Sequence, residues 1–121
     1  MSNAAVSNAA TSTADIIVTP AADVAGYDVA ETLGLVRGNT IRTRHLGRDI
    51  TAVLKGLIGG EIEEYTKMMA QSREQALARM RDEARTLGAD AVTDVRFSTS
   101  FLMSSAAEIL VYGNAVKLQK R

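Results

Sequence analysis

Apolar residues in the first third of the chain predict two β-strands. A short apolar run at 15–20 ends with Pro20, the only proline, which has no backbone N–H to donate to a sheet. The stretch 29–44, which follows a turn, carries apolar residues throughout and is predicted to be a longer strand. Because glycine inside a strand often marks a bulge or a bend, we expect an irregularity near Gly34 or Gly38.

The middle of the chain carries two patterns in which apolar residues recur every three or four positions, as is typical of amphipathic helices. The first pattern, at 46–60, stops at Gly59 and Gly60, and glycine readily adopts the left-handed conformation that ends a helix. The second pattern, at 61–87, is longer, and Gly88 is predicted to cap its C-terminus. Small residues in its apolar stripe indicate a close approach to a sheet. The stripe consists of Ile62, Tyr65, Met69, Ser72, Ala76, Met80, Ala84 and Leu87.

Two further strands are predicted at the end of the chain, at 90–101 and 106–120. The short connection between them favours a hairpin. Simple alternation does not place Val92, Val95 and Phe97 on one face of the first of these strands. This pattern indicates either a bulge or burial on both faces.

The order of the elements is therefore strand, strand, helix, helix, strand, strand. This order predicts an α+β fold with two layers, in which one long helix and one shorter helix cover an antiparallel or mixed sheet. A chain of 121 residues suits one domain, which we assign to 14–121. Residues 1–13 are rich in Ser, Asn, Ala and Thr, which bury little, and are predicted to form a disordered tail.

The composition points to self-association. Hydrophobic residues make up 46% of the chain but aromatic residues only 4%, so the core is expected to be aliphatic. A thin two-layer domain of this size often covers its remaining apolar surface with further copies of itself. The formal net charge is zero, so nucleic acid is not expected as a partner. No apolar run approaches the ~20 residues that span a bilayer, and no secretory signal is recognisable, so the cytoplasm is the expected location.

Several short strings occur in the order and spacing of one known family. They are Arg48-Asp49, Gly59-Gly60 followed by Tyr65, then Arg73, Ala76, Ala84, LGADAV at 87–92 and VRF at 95–97. Over roughly residues 29–118 the chain therefore resembles the YbjQ-like family of small bacterial and archaeal proteins, which carry a heavy-metal-binding label. The chain departs from the family pattern at Thr93-Asp94, where small apolar residues and glycine are common.

The resemblance implies an α+β domain that assembles as a homopentameric ring, with strand segments paired between subunits. In such a ring the first helix could pack near the axis or against a neighbour, while the second covers its own sheet. Arg48, Asp49 and Tyr65 match the family strings and stand near the starts of the two predicted helices. They are our candidates for contacts with a ligand or at an interface, and a purely structural role for all three is the alternative.

The chain offers few ligands for a metal, since it contains one His and no Cys. His45 and Asp49 are four residues apart and could share one side of a helix, but further ligands would have to come from elsewhere, for example from symmetry copies around a ring. The alternative is a histidine at a helix start and an aspartate favoured by the helix dipole. Met68, Met69 and Met80 stand at helical spacing, which is typical of core filling. We therefore expect no cofactor, with a divalent metal as the weaker hypothesis.

Arginines are concentrated between Arg37 and Arg48. This strip, which also contains Arg42 and Arg44, could bind an anion because guanidinium groups suit phosphates. Aromatic stacking partners, which a nucleic-acid site would use, are absent from the strip. The alternative is a solvated strand edge or a set of salt bridges between subunits.

No arrangement of catalytic residues is recognisable. The hydroxyl residues at 99–105 lack a partner histidine, and the glycine-rich stretch at 56–60 matches neither a P-loop nor a dinucleotide fingerprint. We therefore interpret the chain as a non-enzymatic homo-oligomeric, pentameric module with a binding or structural role. The alternative is a metal- or anion-binding sensor that uses His45, Asp49 and the arginine strip.

Overall fold

The computed structural model describes residues 16–43, 60–103 and 106–121. These ranges contain four strands and one helix: β1 (Ile17–Val18), β2 (Tyr27–Thr43), α1 (Gly60–Thr86), β3 (Ala91–Met103) and β4 (Ala106–Lys120). The disordered tail predicted at 1–13, and all but the last residue of the shorter helix predicted at 46–60, lie outside the described residues. Within the described ranges, no helix is both long and apolar enough to span a lipid bilayer.

The four strands form one mixed sheet in the order β1-β3-β4-β2. β2 and β4 are antiparallel along their length, from the pair Tyr27 and Lys120 to the pair Thr43 and Ala106. β4 is also antiparallel to β3, whereas the short β1 runs parallel to β3. Helix α1 packs mainly on β2 and less on β4. The predicted α+β class, with a long helix on an antiparallel or mixed sheet, is confirmed.

Helix α1 lies close to the sheet because the residues at the contact are mostly small. Ser72, Ala76, Met80 and Ala84 are fully buried, as the predicted stripe requires. Gly38 of β2 lies opposite them. A Cβ atom at Gly38 would overlap the carbonyl oxygen of Ala76 and stand 2.6 Å from the backbone nitrogen of Met80. The missing side chain at Gly38 therefore permits the short distance between helix and sheet.

The core between the two layers is aliphatic, as the composition predicts. Val36, Val92 and Val111, from three different strands, are fully buried together with Met80 of α1. Among the described residues, this core contains no aromatic side chain. Its members are therefore held by the close packing and burial of aliphatic side chains.

The irregularity predicted in β2 occurs at Gly34. The pairing with β4 shifts register between Thr32 and Gly34, and shifts once more between Val29 and Glu31. Gly38, the other candidate position, keeps a regular pairing with β4. At Gly38 the glycine is needed for space under α1 rather than for a bend.

Helix α1 ends in the geometry that Gly88 predicts. Gly88 has a φ of 78°. Its N–H donates to the carbonyl of Arg85 at 3.0 Å, and the N–H of Ala89 donates to the carbonyl of Ala84 at 3.1 Å, which together form a Schellman motif. The prediction that Leu87 closes the apolar stripe is wrong. Leu87 is 44% exposed, because it follows the last helical residue and the chain has already left the buried face.

Both alternatives predicted for β3 occur in the structure: residues 91–93 are buried on both faces, and a bulge lies at Asp94 and Val95. The pairing with β4 shifts register between Thr93 and Arg96, and Asp94 has a left-handed backbone with a φ of 55°. Glycine adopts that conformation without strain, whereas a residue with a Cβ atom adopts it at some cost. After the bulge, the side chains on the α1 side of β3 stand at odd positions, beginning with Phe97.

Candidate functional site

The ligand or interface candidates from the sequence stay predictions. Arg48 and Asp49, like His45 of the metal hypothesis, lie outside the described residues. Tyr65 belongs to the first turns of α1, but its side chain lies outside the described part of the molecule. The surfaces that the described residues do form consist of other side chains.

The two described members of the arginine strip lie on opposite faces of the sheet. Arg42 faces α1, where its Nε donates to Ser72 Oγ at 2.7 Å and its Nη2 donates to Gln75 Oε1 at 2.9 Å. Arg37 projects from the other face, because alternate residues of a strand point in opposite directions. These two arginines therefore do not form one continuous anion-binding strip.

The face of the sheet opposite α1 presents a row of three side chains that we call the arginine–tyrosine row. Arg37 of β2 and Arg96 of β3 both pair with Tyr112 of the intervening β4. Directly paired residues of antiparallel strands project from the same face. Tyr112 is 37% exposed, and both arginines are exposed. The structure thus supplies an aromatic neighbour for Arg37 that lies far away along the chain.

The two arginines of the arginine–tyrosine row differ in their contacts. The Nη1 of Arg96 donates to the carbonyls of Pro20, at 3.0 Å, and Val95, at 2.9 Å, which fix the guanidinium group beside β3. The side chain of Arg37 has no hydrogen-bond or ion-pair partner among residues 16–43, 60–103 and 106–121. Its guanidinium group is therefore the more available of the two for an anion.

The second half of β3 carries the most exposed large apolar side chain of the described residues. Phe101 is 74% exposed, Leu102 52% and Phe97 46%. Phe97 and Phe101 pair with Val111 and Ala107 of β4, so they project on the α1 side, while Leu102 projects from the opposite face. Because α1 packs on β2 and β4 and barely touches β3, both faces of this half are left largely uncovered by the helix.

The same half of β3 also has an unpaired edge. From Phe97 to Met103, β3 has β4 on one side and no strand on its other side within the described chain. The sequence of this stretch, FSTSFLM, contains no charged residue and no proline. Strand edges without charge, proline or cover are the ones that accept a further strand.

The described residues do not fit a heavy-metal site. Soft metal ions prefer thiolate and imidazole ligands, and the whole chain has no Cys and one His. Met80 is fully buried in the core and Met69 packs against it, so these two thioethers fill space between the layers. Within the described ranges, no group of three or more His, Cys, Asp or Glu residues could hold a metal ion.

Comparison with known proteins places the chain in a family. A family model for YbjQ proteins, described as “Putative heavy-metal-binding”, matches residues 16–119. The chain belongs to the YbjQ family. A UPF0145 protein of Methanoculleus marisnigri is 58% identical over 88% of this chain and 99% of its own length. A UPF0145 protein of Thermus thermophilus is 53% identical over 87% of this chain and 92% of its own length.

One solved structure shares the fold of this YbjQ protein. It is a protein with unknown function from Pediococcus pentosaceus, assigned to the DUF74 family. It matches with a TM-score of 0.62 at 15% identity and covers 86% of this chain and 98% of that chain. At this identity the likeness shows the fold alone. The names of these relatives state no activity, so YbjQ membership supplies no substrate.

Proposed function

We propose that this YbjQ protein is a non-enzymatic, homo-oligomeric module of the cytoplasm whose copies join through the second half of β3. The observation that carries the proposal is the exposure of Phe97, Phe101 and Leu102 on a strand with an unpaired edge. Apolar area in contact with water is unfavourable by about 25 cal/mol per Å². An open strand edge adds a row of donors and acceptors that another chain can satisfy. A contact between copies would remove both features at once.

A ring is the form of oligomer that this arrangement supports best. The free edge of β3 belongs to one side of the sheet, and β2 forms the other side. Because side chains of α1 occupy the centre of the outer edge of β2, a neighbour would receive β3 on a surface other than that edge and other than its own β3. Contacts between two different surfaces are head-to-tail, and they produce a closed ring when the rotation between copies closes. We propose a ring of five, following the resemblance to YbjQ proteins.

Light scattering and sedimentation velocity at micromolar concentration test the oligomer. We expect a mass close to five times the 12.9 kDa of one chain. Phe101→Ser should lower that mass, because it removes the most exposed apolar side chain of β3. Leu87→Ser is the matched control, since Leu87 is also exposed but directly follows the C-terminal end of α1 and is not part of β3. A wild-type chain that stays monomeric over this range would reject the proposal.

A second function, anion binding, is favoured by the arginine–tyrosine row. Arg37 offers an unpaired guanidinium group next to the ring of Tyr112, on a face that α1 does not cover. A phosphate ester with a planar ring matches this pair, because guanidinium groups bind phosphate oxygens and aromatic rings stack. This proposal keeps the anion-binding alternative from the sequence and moves it from the strip to the face opposite α1. The metal-binding alternative through His45 and Asp49 stays a prediction, because both residues lie outside the described ranges.

Equilibrium dialysis with 5′-AMP, adenosine and inorganic phosphate tests the arginine–tyrosine row. We expect 5′-AMP to bind more tightly than either of its parts. Arg37→Gln should weaken 5′-AMP about tenfold, the effect of one charge-assisted hydrogen bond. Arg73→Gln, at an exposed position of α1, should leave the affinity unchanged. Absence of bound 5′-AMP at millimolar concentration, or equal affinity in wild type and Arg37→Gln, would reject anion binding here.

A further inference from the structure

β2 is the last strand of the sheet, yet the centre of its outer edge is occupied by side chains of α1. The N–H of Arg37 donates to Glu83 Oε1 at 2.9 Å. The carbonyl of Asn39 accepts a hydrogen bond from Arg79 Nη1 at 2.6 Å. Both bonds involve a charged side chain, which makes them stronger than bonds between neutral groups. We call Arg79 and Glu83 the edge clamp.

Gly38 brings the edge clamp within reach of the strand. It lies between the two clamped residues, and a Cβ atom at Gly38 would stand 3.0 Å from the Cβ of Arg79. Arg79 and Glu83 are one helical turn apart and so project from the same side of α1. The close approach of α1 at Gly38 therefore delivers one charged side chain to the backbone on either side of that glycine.

The free edge of β3 has no such protection. Among the described residues, no side chain bonds to the backbone of β3 between Phe97 and Met103. The side chains of this stretch are hydroxyl groups and apolar groups only. The two free edges of the sheet thus differ. The centre of the β2 edge is hydrogen-bonded to one cationic and one anionic side chain, whereas the β3 edge has no such side-chain bond among the described residues.

We propose that the edge clamp closes the centre of β2 to strand addition and so directs an added strand to β3. A strand that approached β2 would have to displace two charge-assisted bonds and pass two charged side chains, which is how natural sheets protect their edges. At β3 it would meet neither obstacle. That the added strand comes from a second copy of this chain rests on the proposed function; the closure of β2 rests on the bonds of Arg79 and Glu83.

Hydrogen exchange at the Arg37 amide, followed by NMR on the full chain, measures the edge clamp directly. Glu83→Ala removes the acceptor, and we expect the Arg37 amide to exchange about tenfold faster. Glu83→Gln keeps a carbonyl oxygen that can accept the same bond, so its exchange should stay within about threefold of wild type. Glu74→Ala, at an exposed position of the same helix, is the control and should change nothing. Equal exchange in wild type and Glu83→Ala would overturn the proposal.

Light scattering over a range of concentrations tests the consequence for association. The double variant Arg79→Ala/Glu83→Ala should reach a higher mass than wild type, and the excess should persist when Phe101→Ser is added, because it arises at the other edge. A double variant with the wild-type mass at every concentration would overturn the edge clamp. A monomeric wild-type chain would reject the homo-oligomer instead, while faster exchange at Arg37 and the gain of mass in the double variant would still support the clamp.

Discussion

The two halves of β3 share one neighbour, β4, and differ in nearly all other surroundings. In the first half, from Ala91 to Val95, every residue except Asp94 is buried. The chain around β1 lies along this half, with its carbonyl at Thr19 accepting the N–H of Val95 at 3.1 Å. In the second half, every residue from Arg96 to Leu102 is exposed. The change occurs at the bulge.

This difference does not follow the polarity of the side chains. Thr93, in the first half, is 2% exposed, whereas Phe97 and Phe101 in the second half are 46% and 74% exposed. The hydroxyl of Thr93 tolerates burial because it donates to Asp94 Oδ2 at 3.2 Å. An isolated domain is expected to bury phenylalanine before threonine. The comparison shows that burial along β3 depends on a second flanking segment in addition to β4. The second half of β3 lacks that segment, although its phenylalanines are residues that a covered strand would bury.

The largest expected effect on the free energy of unfolding comes from adding a side chain at Gly113, opposite the first half of β3. Gly113 of β4 has no room for a side chain, since a Cβ there would stand 2.6 Å from Val92 Cγ1 and 2.8 Å from the carbonyl oxygen of Thr93. Gly113→Val should lower the free energy of unfolding by about 3 kcal/mol, measured by urea denaturation. Ser98→Val, on the exposed second half, should change it by less than about 0.5 kcal/mol. Equal losses of stability for Gly113→Val and Ser98→Val would contradict the difference between the two halves of β3.

Removal of apolar volume from the first half should have the next largest effect. Val92 is fully buried between α1 and the sheet. Val92→Ala should lower the free energy of unfolding by about 2 kcal/mol, since it removes two methyl groups and leaves a cavity. Thr99→Ala in the second half should cost at most about 0.5 kcal/mol. Urea denaturation of both variants is the measurement, and a larger loss for Thr99→Ala would contradict the difference between the halves.

The bulge that separates the halves should respond to the type of residue at Asp94. Asp94→Ala keeps a Cβ in a left-handed backbone and loses the carboxylate that accepts hydrogen bonds from Thr93 and Asn114. We expect it to lower the free energy of unfolding by about 1–2 kcal/mol. Asp94→Gly loses the same bonds without the backbone strain, so its loss should be smaller by about 1 kcal/mol. Thermal or urea unfolding would compare them, and an equal loss would contradict a strained bulge.

The smallest effect on the protomer should come from the second half itself. Phe101→Ala should change the free energy of unfolding by less than about 0.5 kcal/mol when the protein is dilute enough to be dissociated, because the side chain is 74% exposed. The same variant should weaken association at higher concentration. A loss of about 3 kcal/mol in the dilute protein would show instead that Phe101 is buried within its own protomer.

The features of the fold that could be predicted are those that depend on the residues of a single element. The stripe with Ser72, Ala76, Met80 and Ala84 identified the buried face of α1, and Gly88 identified its end. The exposure of Leu87 was not predicted, because periodicity alone does not show at which residue the helix ends. The order of the strands also lies beyond local pattern, since the parallel pairing of β1 with β3 joins segments that are far apart in sequence.

The candidate surfaces were less predictable, because each depends on register across several elements. The arginine–tyrosine row exists only because β2 and β3 both pair with β4 at Tyr112. The edge clamp depends on the close approach of α1 at Gly38. An alternation of Phe with Ser and Thr after the bulge was the only local sign of the exposed half of β3. Arg48, Asp49 and Tyr65 stay predictions.

The length of β2 has a practical consequence for counting chains. Its 17 residues extend over roughly 55 Å at about 3.3 Å each, and the 27 residues of α1 cover about 40 Å. A compact chain of 121 residues has a radius of gyration of about 14 Å. Within the described residues, β2 and α1 are thus long compared with that radius, and an elongated unit has more hydrodynamic drag than a sphere of the same mass. On a size-exclusion column calibrated with globular standards it would elute early and be mistaken for more than one chain.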